Sequence, residues 1–335
     1  MVNEKLQVIQ NQIISEYSED ISINLATGQM GLCIYSYIVG RYNKGLLKIA
    51  NKMMDCIFNK VNDLESINIK DGLSGIGLGI NYLIRNGFIK GDSNKILSDI
   101  DDEIFKKIVD AKAFALLSDF EIIQLLYYLY IRLYPQSLKP DADYLLKELA
   151  IYLINKLYER IDLHFMEEPF YYNIEYKLPQ SLYILGKFYS LGFYDTRIKK
   201  IIDELEYSIV STIPNLHANR LFLLWGMNAL GDSLLDKRLK QHMFLLEREI
   251  NIDILLEGEF KNKSIFIYDG LSSIYGLITS TQNAFTQDKV IIYKQKIIES
   301  INESKIWDLL FDVSYFKQHR GLLNGFTGVH LTLMD

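Results

Sequence analysis

The sequence predicts an all-α protein, an α/α toroid of about seven helical hairpins with an inner and an outer ring of helices. Three observations predict it. Apolar residues recur at helical spacing nearly everywhere, and strand-like alternation is hard to find. A glycine-containing turn, followed by a helix apolar on almost every side, returns along the chain. Between these elements lie helices with one apolar and one charged face, which belong outside.

The inner elements are, in order, "LATGQMGLCIYSYI" from Leu25, "DGLSGIGLGINYLI" from Asp71, "SDFEIIQLLYYLY" from Ser118 and "LPQSLYILGKFYSLG" from Leu178. "NRLFLLWGMNALG" from Asn219, "YDGLSSIYGLI" from Tyr268 and "GLLNGFTGVHLTLM" from Gly321 complete them. Their starts lie roughly 40 to 60 residues apart, the range of a two-helix repeat. Outer partners include "YNKGLLKIANKMMDCIFNKV", "ADYLLKELAIYLINKLYERI" and "IKKIIDELEYSIVSTI". The first outer helix is N-terminal, with Leu6, Ile9, Ile13 and Tyr17 on one face. Seven outer–inner pairs account for residues 1–335 as a single domain, because no Pro/Gly/Ser-rich linker interrupts them. Neither end carries a polar cap, so the last inner helix is expected to pack on the first pair and close the array. Glycines are expected at inner starts because neighbouring backbones approach too closely there for a side chain.

Composition narrows the function. The chain of 335 residues is 49% hydrophobic and 23% charged, the profile of a folded globular protein. A formal net charge of −6 with no basic face argues against nucleic-acid binding. Cys33 and Cys56 sit in apolar helical contexts and are expected as buried free thiols, not a zinc cluster. No apolar run is long enough for a membrane span, and the N-terminus lacks the basic start and apolar core of a signal peptide. The expected compartment is the cytoplasm.

Asp71 and Asp269 each precede Gly-Leu-Ser at an inner-helix start. Each is expected to cap its helix by accepting backbone N–H bonds. The alternative makes them paired carboxylates at the rim, suited to acid–base work on a glycan. His217 and His319 lie just ahead of inner helices, beside Arg220 and Arg320, and are the catalytic candidates among the histidines. A general base still needs a partner and a pocket. His242 lies on a charged outer helix and is expected at the surface, whereas His330 is expected as a satisfied core histidine. Two loops exceed the regular hairpin length, "DLHFMEEPFYYNIEYKLP" and "NIDILLEGEFKNKSIFIYDG". Both end at an inner start and are expected to overhang one rim, where long insertions make binding surfaces. Phe170, Tyr171 and Tyr172, with Tyr268 and Asp269, are the ligand-binding candidates, suited to a peptide. An ordinary packed loop is the alternative.

"GLLNGFTGVHLTLM" resembles the terminal repeat of the lanthionine synthetase C-like (LanC-like) cyclases, whose inner helices begin Gly-Leu-x-x-Gly-x-x-Gly, often with His where Asn324 stands. "DGLSGIGLG" resembles their second repeat, and seven units in register extend the resemblance over the whole chain. The resemblance implies a toroid whose zinc ion activates peptide thiols for addition to dehydrated Ser and Thr, forming thioether rings. It implies zinc ligands from a Trp-Cys-x-Gly element in the fifth repeat and a Cys-His-Gly element in the sixth. Here the fifth reads "LLWG", with Leu224 in the cysteine position, and the sixth reads "YDG", with Tyr268 and Asp269 for Cys and His. An Ala-His-Gly element of the fourth repeat is replaced by "LPQS" from Leu178, and the Asp that opens the third aligns near Phe114.

Thiolate and imidazole ligands hold zinc while leaving a position for the substrate sulfur, and Leu and Tyr do not replace them. The expectation is therefore a zinc-free LanC-like protein with no cofactor and no assignable catalytic set. It would serve maturation of a ribosomally made, modified peptide. It would bind a precursor peptide or a peptide-modifying partner enzyme, or cyclise without metal. A glycan-processing toroid using Asp71 and Asp269, or a non-catalytic interaction scaffold, are the alternatives.

Overall fold

The computed structural model describes residues 2–134 and 140–334. Among them there is no strand, and no helix is long and apolar enough to cross a membrane. The inner helices are Gln29–Gly40, Leu73–Arg85, Asp119–Leu133, Lys177–Ser190, His217–Asn228, Leu271–Ser280 and Phe326–Met334. Each follows a more polar helix: Val2–Ser15, Lys44–Lys60, Ser98–Val109, Pro140–Glu159, Asp195–Ser211, Lys237–Glu249 and Gln287–Glu303. The first two full-length partners show the contrast. Gln29–Gly40 buries every residue except Ile38, whereas Lys44–Lys60 buries one stripe, from Leu46 through Ile49, Ala50, Met53 and Met54 to Cys56 and Ile57. That three-and-four spacing is what one apolar face requires.

Contacts gather the chain into two compact units, each discontinuous in sequence. The first comprises Met1–Leu117, Ile265–Tyr268 and Asn302–Asp335. In it, Phe326–Met334 packs against both Gln29–Gly40 and Val2–Ser15, so the last inner helix docks on the first pair. The Tyr35 hydroxyl reaches His330 Nδ1 at 2.6 Å across this junction, which satisfies His330 in the core. Val2–Ser15 buries Ile9 and Ile13, while Leu6 is half-buried and Tyr17 lies beyond the helix end. Cys33 and Cys56 are buried free thiols. Phe114 is buried in the short helix Ala111–Ala115, so the position aligned with an inner start lies outside the inner helix.

Four inner helices begin with one backbone device. The first N–H of the helix, at Gln29, Leu73, Leu271 and Phe326, donates to the carbonyl seven residues earlier. Those acceptors are Ser22, Ser66, Ser264 and His319, at 2.7, 2.9, 3.3 and 2.8 Å. The chain thus folds back on the start of its own helix. A Cβ at Gly28, Gly72 or Gly325 would lie 2.2, 2.4 or 2.4 Å from the Ser22, Ser66 or His319 oxygen. Three residues on, a Cβ at Gly31, Gly75 or Gly328 would meet the Leu25, Ile69 or Leu322 oxygen at 2.3, 2.0 or 2.0 Å. These glycines therefore answer first to their own loop, whereas Gly321, whose Cβ would lie 2.3 Å from Ala26 O of another repeat, shows the expected close approach of neighbouring backbones.

Within the first unit, residues at the fifth place of this loop bond to one another. Tyr268 N–H donates to Leu323 O at 3.0 Å, Leu323 N–H to Ala26 O at 3.1 Å, and Ala26 N–H to Lys70 O at 3.1 Å. The link from the last repeat to the first is the same link that joins the sixth to the seventh and the first to the second.

The second unit comprises Ser118–Ser264 and Asp269–Ile301. Its inner helices Asp119–Leu133, Lys177–Ser190, His217–Asn228 and Leu271–Ser280 pack in succession. Here the expectation of close backbones holds, since a Cβ at Gly186 would meet Ala229 O at 2.2 Å and one at Gly226 would meet Pro179 O at 2.4 Å. Asp119–Leu133 starts by a different rule, a capping box in which Ser118 and Glu121 satisfy each other's backbone N–H. "LPQS" lies within the first turn of Lys177–Ser190, where Gln180 accepts from the Tyr127 hydroxyl and donates to Ile174 O. His242 corrects the surface expectation: it is buried, and burial lowers its pKa. Its helix turns that face inward toward the Thr212 backbone.

Candidate functional site

The second unit carries an open cavity of about 960 Å³, and both long loops wall it. The first loop contributes Glu168, Phe170, Tyr171 and Tyr172, and the second contributes Glu259, Phe260 and Lys263. Asn215 and Leu216, at the start of His217–Asn228, and Asp269, before Leu271–Ser280, complete the part that matters here.

Each loop is fastened by a glutamate. Glu259 accepts the backbone N–H groups of His217 and Ala218 at 2.6 and 3.0 Å. Glu168 accepts from the Asn215 backbone N–H and side-chain amide, both at 2.6 Å, and from the Asn219 amide at 3.0 Å. A helix start exposes N–H groups without partners and a positive dipole end, and these carboxylates answer both. The residue ahead of this helix is Leu216, which has no capping side chain. That missing cap is the sequence signal that the caps come from elsewhere. Neither glutamate was among the candidates read from sequence.

The three aromatic candidates meet at the cavity but differ in role. Tyr172 is buried, with its ring against Phe222 and Phe260 at 5.9 and 5.7 Å. Its hydroxyl lies 2.5 Å from Ser273 Oγ. Burial, reinforced by the Asp269 charge, raises its pKa, so Tyr172 stays protonated at neutral pH. It anchors the loop. Phe170 and Tyr171 are 82% and 63% exposed and stand edge to face with centroids 4.8 Å apart. Lys263 places its Nζ 5.1 Å from the Tyr171 ring centroid, within cation–π range.

The helix-cap expectation for Asp71 and Asp269 is overturned. The caps are Gly72 and Gly270, neither helix has a side-chain cap bond, and the first N–H groups go to the Ser66 and Ser264 carbonyls. Asp269 is exposed and, among the described residues, has no hydrogen-bond or ion-pair partner. Asp71 is also exposed, with its N–H on Asn68 Oδ1 at 2.8 Å, and does not line the cavity.

The histidine candidates are structural. His217 Nδ1 receives the Asn251 N–H at 3.2 Å and lies 3.3 Å from an Arg220 guanidinium nitrogen. The Glu249 carbonyl oxygen lies 3.0 Å from the same nitrogen, so the ring is held among backbone groups that latch the start of the second long loop. His319 is stacked between Tyr315 and Phe266, with centroids 4.1 and 5.4 Å away. Tyr268, in the first unit, does not line the cavity, and its ring carries the Lys70 ammonium at 4.6 Å.

The residues present do not fit the zinc that the resemblance implies. Leu224 offers a buried hydrocarbon, Tyr268 is engaged by an ammonium, and Asp269 is a lone exposed carboxylate. Among the described residues no group of three or more His, Cys, Asp or Glu is arranged to hold a metal ion.

No family model matches the chain, and no curated protein matches it in sequence. Among solved structures, nisin cyclase matches with a TM-score of 0.69 at 14% identity, over 99% of this chain and 94% of that one. At that identity the likeness speaks for the backbone and not for the chemistry. The chain has the LanC-like fold, an α/α toroid.

Proposed function

We propose that this is a zinc-free LanC-like protein that binds a peptide during maturation of a ribosomally made, modified peptide, with the loop-walled cavity as the binding site. The observation that carries the proposal is the exposed pair Phe170 and Tyr171, held over an anchored Tyr172 at the mouth of a cavity of about 960 Å³. Exposed aromatic surface at a concave site marks a place where something docks. The fold shared with nisin cyclase favours a peptide as the occupant.

Binding is favoured over acid–base catalysis. Glu168 and Glu259 are committed to helix N–H groups, His217 Nδ1 is committed to the loop, and Tyr172 is protonated. Of the two aspartates in the glycan reading, Asp269 lines the cavity and Asp71 does not, so the cavity lacks that carboxylate pair.

Fluorescence anisotropy with a labelled linear peptide carrying a cysteine and a dehydrated threonine tests this. Binding that the double change F170A/Y171A weakens about tenfold or more supports it, since paired aromatic anchors carry such energies. Binding indifferent to that change, or none, defeats it.

A further inference from the structure

The charges around the cavity are not equivalent. Glu168 and Glu259 spend oxygens on N–H groups at one helix start, where the positive helix end offsets part of their charge. Lys263 rests on the Tyr171 ring. Asp269 remains, exposed and without a hydrogen-bond or ion-pair partner among the described residues. Three carboxylates and one ammonium line the cavity, and the charge left without a partner is negative. A concave site of one dominant sign concentrates ligands of the other sign. An anion gains nothing from the helix start, because the two glutamates already occupy it.

The aromatic wall suits the same ligand. Tyr171 holds the Lys263 ammonium over one face, so this wall accommodates a cation beside an aromatic ring. Phe170 presents a second, more exposed ring beside it. Lysine and arginine side chains lay apolar stems on such surfaces while their charged ends reach a carboxylate.

On the reading that the cavity binds a peptide, we propose that the peptide it selects is cationic. A lysine or arginine pairs with Asp269, and its stem or an adjacent aromatic residue lies against Phe170 and Tyr171. Asp269 is then the residue that sets specificity, and the two aromatics supply affinity without regard to charge.

Three labelled peptides of one scaffold, Gly-Ser-Phe-Xaa-Phe-Ser-Gly with Xaa as Lys, Gln or Glu, test this by anisotropy. The Lys peptide is expected to bind about fivefold tighter than the Gln peptide, the upper range for one partly exposed ion pair. The Glu peptide is expected to bind weakest, and the gaps close as salt screens the site. D269N lowers the Lys peptide to the level of the Gln peptide, and D269K reverses the order of Lys and Glu. Equal binding of the Lys and Gln peptides, or a gap that survives D269N, overturns the cationic preference and leaves peptide binding standing. Failure of all three to bind overturns both. Because Asp269 is exposed and caps nothing, matching circular dichroism spectra of the variants are expected, and they exclude unfolding as the cause.

Discussion

Acid should loosen the junction between the last inner helix and the first, and His330 sets the pH range. His330 is 3% exposed, and burial holds its pKa at about 4, against 6.5 for the free side chain. Burial also raises the pKa of Tyr35, so Tyr35 donates and His330 Nδ1 accepts in their 2.6 Å bond. The sign follows from linkage. The unfolded chain takes a proton near pH 6.5, whereas the folded chain resists until about pH 4. This group's contribution to stability is therefore fully present above pH 6.5 and is lost progressively as pH falls toward 4. The gap between the two values is worth about 3 kcal/mol, a large part of a domain's margin.

Urea unfolding at pH 7 and pH 4.5, followed by circular dichroism, measures it. Replacing His330 alone would strand the Tyr35 hydroxyl, a separate cost of about 1–3 kcal/mol. The informative comparison is therefore wild type against Tyr35→Phe/His330→Leu. Between the two pH values the double variant should lose about 2 kcal/mol less than wild type. Other titrating groups, His242 included, are present in both proteins and cancel. Equal pH dependence of the two proteins would refute the assignment.

Glycine substitutions should separate by what a Cβ would meet. Gly75→Ala, whose Cβ would lie 2.0 Å from the Ile69 carbonyl oxygen, should cost several kcal/mol, whereas Gly276→Ala has nothing within 4 Å and should gain about 0.5–1 kcal/mol of helix propensity. Equal melting shifts would contradict the loop geometry. Glu259→Ala should cost about 1–2 kcal/mol by chemical denaturation, and Glu259→Gln less, because the alanine removes both acceptors of the His217 and Ala218 N–H groups whereas the glutamine keeps one. Elemental analysis after dialysis should find no stoichiometric zinc, and one zinc per chain would mean that ligands other than positions 224, 268 and 269 hold it.

The helical repeat was legible because its cause is periodic. Inner elements read from Leu25, Asp71, Ser118, Leu178, Asn219, Tyr268 and Gly321 each mark an inner helix, and solvent sorts inner from outer by one wet face. The clustering of both long loops at one cavity was legible too, since both end at inner-helix starts. Single side chains were not. Asp71 and Asp269 occupy positions where a cap is ordinary, but the seven-residue loop supplies a carbonyl instead, and no local pattern announces that. Glu168 and Glu259 act on a helix about fifty and forty residues away, a pairing that only the folded chain creates. His242 sits among charged residues in "KRLKQHMFLL", yet its register turns it inward.

The same loop explains how the fold is held without demands on the residues at two of its places. Its geometry rests on carbonyl oxygens and on glycines that make room for them, at Gly28, Gly72 and Gly325 and again at Gly31, Gly75 and Gly328. The fifth place is linked through backbone atoms, in the Tyr268–Leu323–Ala26–Lys70 series, whatever its side chain. Its side chains are therefore free to differ, and within this one chain they are Ala, Lys, Tyr and Leu. The sixth place is as varied, with Thr27, Asp71, Asp269 and Asn324. The zinc ligands implied for the sixth repeat fall on these two places, where the backbone makes no demand on residue type. Tyr268 and Asp269 at these places leave the backbone pattern intact, and a TM-score of 0.69 coexists with 14% identity. Where the chain has invested specific side chains is in the long loops. Ser273 takes the place where three other repeats have glycine, and its hydroxyl meets Tyr172. At that one place the side chain serves a loop and not the helix start, which is consistent with the proposal that the cavity this loop walls is the binding site.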